Sequence, residues 1–137
     1  VNLDARLHLI EPLGFSLDAS RVKRAGLDYW RLVPLQVHAG WEEFLAAAQP
    51  ARLVFLSTKG RRPLYDCRFA AGDYLVFGNE TSGLPPAFYE RYADGLVQIP
   101  MPGKHYRSLN LANAVAITAY EAYRQIAFTD MESDDAV

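Results

Sequence analysis

Cysteine is nearly absent from this chain. Cys67 is the only one among 137 residues, so no internal disulfide framework can form, and a reducing cytoplasm suits the chain. One cysteine and three scattered histidines (His8, His38, His105) give no metal-ligand spacing, so no metal is expected. Long apolar runs are missing too. None approaches the ~20 residues a membrane span needs, and the opening residues show no signal-peptide pattern. There is no G-x-G-x-x-G and no Walker A sequence, which weighs against the common nucleotide-binding enzymes. Internal repeats and low-complexity stretches are absent apart from an acidic end.

Half of the residues are apolar, 22% are charged and 12% are aromatic. That composition supports a packed core and one compact domain. Formal net charge is −2, an odd balance for a nucleic-acid binder. Its distribution matters more than its sum. Asp130, Glu132, Asp134 and Asp135 fall in the final eight residues, and all fourteen Lys and Arg lie at or before Arg124. Without those four carboxylates, 14 basic residues face 12 acidic ones. A modest basic face of that kind suits one structured RNA better than long nucleic acid in general. Residues 1–126 are expected to form a single domain and 127–137 an acidic, flexible tail.

Arg6 to Glu11 alternates apolar and polar residues and reads as a strand, ended by Pro12-Leu13-Gly14. Asp18 is a fitting N-cap for a helix from Ala19 to Ala25, with Gly26 after its end. Leu32 to Val37 is a second strand, weakened by Pro34, and Trp41 to Ala48 is a short helix. Leu53–Leu56 and Tyr74–Phe77 have the length and composition of buried strands, with a basic loop from Thr58 to Pro63 between them. Pro85 and Pro86 sit where a helix can begin, and that helix ends near Tyr92. Leu96 to Ile99 is the final strand, and the last helix runs from about Asn110 to Ile126. Strands alternating with helices predict an α/β fold with a largely parallel sheet. The last helix has two apolar stripes: Leu111, Val115, Thr118, Ala122 and Ile126, then Ala112, Ala116, Ala119 and Tyr123. Such a helix is either a core helix or one shared between its own sheet and a second subunit.

Two segments crowd Gly, Ser, Asn and charged groups where a core would want none. The first is Phe77-Gly78-Asn79-Glu80-Thr81-Ser82-Gly83-Leu84-Pro85, following a strand and opening a helix. Open α/β sheets place ligands in loops of this kind. Gly78 leaves room for a ligand to approach the backbone, Gly83 allows a tight turn, and N–H groups at the helix start can meet a polar ligand. On its own this pattern is better read as an ordinary strand-to-helix turn, with Glu80 near the helix dipole. The second is Ile99-Pro100-Met101 leading to Arg107-Ser108-Leu109-Asn110-Leu111-Ala112-Asn113. Capping by Ser108 accounts for one or two of its polar groups but not for Arg107, Ser108, Asn110 and Asn113 together.

The ordered set FG-x-E-x-x-GLP, IPM and RS-x-NL-x-N-A-V closely resembles the SPOUT class of RNA methyltransferases, in particular the TrmL-type tRNA wobble-nucleotide 2′-O-methyltransferases. Leu7 to Tyr29 and the loop Ser57-Thr58-Lys59-Gly60 extend the likeness over about residues 5 to 125. The resemblance implies a SPOUT fold with a C-terminal trefoil knot, S-adenosylmethionine as cofactor, a homodimer, and methylation of the ribose 2′-hydroxyl of nucleotide 34 in leucine tRNAs. It implies cofactor contacts from Leu56, Thr58, Gly78, Glu80, Ile99, Met101, Ser108 and Leu109. Ser108 and Asn110 are the residues expected to orient the ribose, Arg107 to hold a phosphate, and Glu80 to orient a loop or the target base. Family members begin with a further strand and a P-x-N-T-G-N-I-x-R-like segment whose arginine is implicated in catalysis. Val1-Asn2-Leu3-Asp4 resembles the end of the helix after it, so that arginine is expected upstream of Val1 and the sequence is expected to be incomplete. Three alternatives remain in play: a non-catalytic RNA-binding SPOUT domain, a 2′-O-methyltransferase for another tRNA or rRNA position, and an unrelated α/β nucleotide-binding enzyme.

Overall fold

The computed structural model describes residues 1–13 and 28–134. The helix expected from Ala19 to Ala25 lies outside them. The chain divides into two compact units, Val1–Gln49 and Pro50–Val137.

In the first unit, β1 (Leu7–Ile10) pairs parallel with β2 (Leu35–His38), Leu7 opposite Leu35 and Ile10 opposite His38. The sequence pattern started β2 too early. Asp28–Leu32 is a 3-10 turn, and the strand begins only after Pro34, whose carbonyl accepts from Leu7 N–H at 2.9 Å. Helix α1 (Trp41–Ala48) carries Glu42 and Glu43 in its first turn, where the helix dipole favours negative charge. It stops at Gln49, which takes a left-handed φ of 46° just before Pro50. Phe44 is buried and meets His8 and His38 edge-on, each with centroids 5.3 Å apart. His8 Nδ1 and His38 Nε2 share a hydrogen bond of 2.9 Å, so one of the two nitrogens must stay unprotonated. Burial first, then the charges of His38 and Arg6, lower the His8 pKa from its ordinary 6.5.

The second unit holds a four-stranded parallel sheet in the order β4-β6-β3-β5. These strands are β3 (Leu53–Leu56), β4 (Arg62–Pro63), β5 (Tyr74–Phe77) and β6 (Leu96–Gln98). The two-residue β4 sits inside what reads as a basic loop; Pro63 is tolerated there because the strand is at the sheet's edge. Side chains alternate along β3. Val54 and Leu56 join Leu64, Cys67, Phe69, Val97 and Ala122 in the core cluster. Phe55 joins the rings of Phe88 on α2 (Pro86–Arg91) and Tyr92 just beyond it, stacking on Tyr92 at 4.4 Å. Each such buried side chain contributes about 1.5–3 kcal/mol.

Helix α3 (Leu111–Asp134) brings Ala122 to the core, with Thr118 fully buried beside it in the helix. Gln125 ties it down further. Its Oε1 accepts from Phe69 N–H at 2.8 Å and its Nε2 donates to the Cys67 carbonyl at 2.9 Å. The two expected stripes separate only in part. Thr118 and Ala122 of the first are buried but its Val115 is exposed, as are Ala112, Ala116 and Tyr123 of the second and Tyr120 beside them. The helix also outruns its expected end at Ile126 by eight residues. The clustered carboxylates read as a flexible tail, and the stop expected at Ile126 does not occur. Residues 127–134 contain no Gly or Pro to impose one.

Candidate functional site

Because the sheet is parallel, β3, β5 and β6 deliver their following loops to the same edge. Those loops line one cavity of about 290 Å³, near the lower end of the ~300–1,000 Å³ usual for small-molecule sites.

The loop after β5 closes on itself. Asn79 and Gly83 exchange backbone hydrogen bonds, both 3.1 Å. Asn79 Oδ1 accepts from the N–H groups of Thr81 and Ser82, each at 2.8 Å, and from Ser82 Oγ at 3.1 Å. Gly83 takes a φ of 71°, so the expected tight turn is present. Gly78 has a different reason from the one its sequence context suggests. A Cβ there would lie 2.1 Å from the Gly83 carbonyl carbon and 2.3 Å from Leu84 N. The missing side chain makes room for the loop's own return, not first for a ligand. The following helix offers fewer donors than expected, since Pro85 and Pro86 occupy its start and carry no N–H.

The loop after β6 is open. Residues 102–110 are all exposed. It settles at Asn110, whose Oδ1 accepts from Ala112 N–H at 2.9 Å and Asn113 N–H at 3.4 Å. Asn110, not Ser108, therefore caps α3, and Ser108 keeps its hydroxyl for the cavity. The third loop, after β3, crosses β6 closely: Ser57 N–H donates to the Val97 carbonyl at 2.9 Å. A Cβ on Gly60 would lie 2.5 Å from the Val97 carbonyl carbon.

The cavity brings together Leu56 at the end of β3 and Thr58 from the loop after it, Gly78 and Glu80 from the loop after β5, and Ile99, Met101, Ser108 and Leu109 from the loop after β6. These are the eight positions that sequence reasoning assigned to a cofactor. Arg107 and Asn110 are not among the lining residues. Arg107 is exposed beside the mouth-lining Ser108, and the Asn110 side chain is occupied at the helix cap. His105, Arg61 and Arg62 are exposed and also outside the lining. Sequence reasoning missed Tyr89, a lining residue on α2 whose hydroxyl lies 3.3 Å from Ser57 Oγ. It missed the bracing role of Asn79 as well, although Asn followed by Ser and Gly is a recognisable turn signal. Among the described residues, no cluster of three or more His, Cys, Asp or Glu could hold a metal ion. Nor is any described helix long and apolar enough to cross a membrane.

Residues 1–120 match the family described as SpoU rRNA Methylase. A relative from Burkholderia pseudomallei, a tRNA (cytidine(34)-2'-O)-methyltransferase, is 49% identical over 131 residues, covering 93% of this chain and 83% of its own. One of the same name from Saccharophagus degradans is 48% identical over 128 residues, 93% of this chain and 82% of its own. Among solved structures, one described as giving insights into the 2-OH methylation of C/U34 on tRNA superposes with a TM-score of 0.78. It is 51% identical and covers 88% of this chain and 78% of that one. The SpoU methyltransferase AviRb from Streptomyces viridochromogenes, in complex with AdoMet, has a TM-score of 0.68 at 31% identity, over 90% of this chain and 51% of that one.

Proposed function

Since this chain belongs to the SpoU rRNA Methylase family, we propose that it is a tRNA 2′-O-methyltransferase acting on the ribose of nucleotide 34 with S-adenosylmethionine as methyl donor. The observation that carries this reading is the three-loop cavity, which gathers every expected cofactor position at one edge of a parallel sheet. Its donor set fits the cofactor. Leu56, Ile99, Met101 and Leu109 supply apolar wall for a nucleoside, and Ser108, Thr58 and backbone groups supply hydrogen bonds. Glu80 supplies negative charge for a cationic centre. When bound, S-adenosylmethionine supplies an activated methyl group on a sulfonium sulfur.

The residues of the chain do the remaining work. The closed Asn79–Gly83 loop holds its backbone in one shape before ligand arrives, so little ordering is lost on binding. Ser108 orients the ribose hydroxyl, and Arg107, exposed next to it, holds a phosphate of the RNA. Asn110 contributes by capping the helix that follows Ser108. Alignment of the attacking oxygen is the main catalytic demand, with a base or an oxyanion-stabilising group beside it.

Finer features complete the reading. Leucine tRNAs are the substrates suggested by the TrmL-type motifs, and the cytoplasm is where that substrate is met. Residues 1–126 act as one methyltransferase domain. A trefoil knot is supported by β6 lying between β4 and β3 and by the tight crossing at Gly60. A homodimer is supported by the exposed apolar face of α3, where Tyr120 is 52% and Tyr123 49% exposed. Light scattering tests it: Ala116→Arg should give a folded monomer, and an unchanged dimer would rule out this face.

Methyl transfer to total tRNA, with the modified nucleotide mapped by nuclease digestion and mass spectrometry, tests the activity. A 2′-O-methyl group at nucleotide 34 of leucine tRNA is the expected product. Methylation elsewhere would refute the position and leave the chemistry. No transfer by the full-length protein would favour a non-catalytic RNA-binding domain.

A further inference from the structure

Two charged side chains line the cavity, Lys59 and Glu80. Lys59 is unusual for an exposed lysine because one tyrosine braces it at both ends. Its backbone N–H donates to Ser57 Oγ at 3.1 Å, and that oxygen lies 3.3 Å from the Tyr89 hydroxyl. Its Nζ lies 4.6 Å from the centroid of the Tyr89 ring. Tyr89 also lies near the closed loop: a Cβ added at Gly83 would meet its hydroxyl at 3.5 Å.

A free lysine side chain gives up much rotamer entropy when it is fixed. Bracing removes part of that loss before any ligand arrives. The ring face attracts the ammonium without using a hydrogen-bond acceptor, so the three N–H donors stay available for an anion. Arg61, Arg62 and Arg107 lie outside the lining and suit an RNA backbone, whereas Lys59 belongs to the cavity with Leu56 and Gly78. Resting on the cofactor reading above, we propose that Lys59 binds the carboxylate of the amino-acid part of S-adenosylmethionine, and that Tyr89 is the residue positioning it. Lys59 and Glu80 then give the cavity one charge of each sign, matched to a ligand that carries both.

Calorimetry on the whole protein with S-adenosylmethionine and its decarboxylated analogue isolates the contact. Wild type should favour the carboxylate-bearing ligand roughly tenfold, the size expected for one charge-assisted hydrogen bond. Lys59→Met should abolish that preference by weakening only S-adenosylmethionine, and Lys59→Arg should retain part of it. Tyr89→Leu should shrink the preference about threefold, and Tyr89→Phe, which keeps the ring, should restore most of it. Each variant is its own control for folding, because the ratio of two ligands is read. A preference that survives in Lys59→Met, or that is absent in wild type, overturns the lysine assignment alone. Failure of wild type to bind either ligand overturns the cofactor reading and this proposal with it.

Discussion

The loops after β5 and β6 line one cavity but are built on opposite plans. Asn79–Gly83 is closed by its own backbone and braced by one asparagine side chain, so its shape is set within five residues. Residues 102–110 are exposed throughout and take their order from the helix they lead into, through the Asn110 cap. The first plan suits a small ligand, which needs donors at fixed positions. The second suits a macromolecule, which needs donors it can reach. Loss of the closed loop should therefore weaken the cofactor first, and loss of Arg107 in the open loop should weaken RNA first, although the open loop also lends Ser108 and Leu109 to the cavity.

Gly78→Val breaks the closed loop most directly, because its Cβ would collide with the Gly83 carbonyl carbon. We expect a loss of about 4 kcal/mol in stability and of at least about a hundredfold in S-adenosylmethionine affinity. Chemical denaturation and calorimetry check both. Wild-type affinity in this variant would remove the loop from the cofactor site.

Arg107→Ala addresses the open loop. The KM for tRNA should rise roughly tenfold, while the cofactor Kd stays within about twofold. Steady-state kinetics beside a binding titration decide it. An equal fall in cofactor affinity would show that the two loops do not divide the task.

Asn79→Ala removes the acceptor of three hydrogen bonds and should cost about 1–3 kcal/mol, read in the unfolding midpoint. Cofactor binding should weaken severalfold, and tRNA binding in the absence of cofactor should not change. A normal Kd would mean that the backbone bonds alone hold the loop.

Asn110→Ala should cost about 1 kcal/mol, recovered by Asn110→Ser, because either Asn or Ser can cap. Abolished methyl transfer with unchanged stability would instead make Asn110 a substrate contact.

A baseline comes from the first unit, which contains neither loop. The folded-state pKa of His8 is lowered, so the unfolded chain binds more protons just below pH 6.5. Stability should hold above that pH and decline as pH falls through it. His8→Asn should flatten the decline in thermal melts between about pH 7 and 5. An unchanged slope would assign the acid sensitivity to other groups.

Much of this was legible in the sequence where local pattern and tertiary demand agree. WEEFLAAA forms the expected helix, and LVFL and YLVF form the strands that their length and apolar composition predict. The glycine and RS-x-N motifs do converge on one cavity. What stayed hidden depends on partners distant in sequence. Arg62 and Pro63 become a strand only because β6 lies beside them. Tyr89 reads as a helix aromatic until Ser57, 32 residues earlier, meets its hydroxyl. Gly78 looks like space for a ligand until the return of Gly83 is seen. The cap of α3 fell on Asn110, not Ser108, because both residue types cap well and only the backbone path chooses between them.

The Gln125 amide has a consequence in time. It satisfies the Phe69 N–H and the Cys67 carbonyl, groups 56 and 58 residues earlier in the chain. During synthesis those two groups leave the ribosome long before their partner does. The sheet can assemble, and Arg52 can already donate to the Arg68 carbonyl at 2.6 Å, but the Phe69 N–H and the Cys67 carbonyl wait for Gln125 on α3. Completion of the second unit is therefore coupled to the emergence of α3. A nascent polypeptide stalled before Gln125 should remain open to proteases at this segment, and release of one more turn of helix should close it.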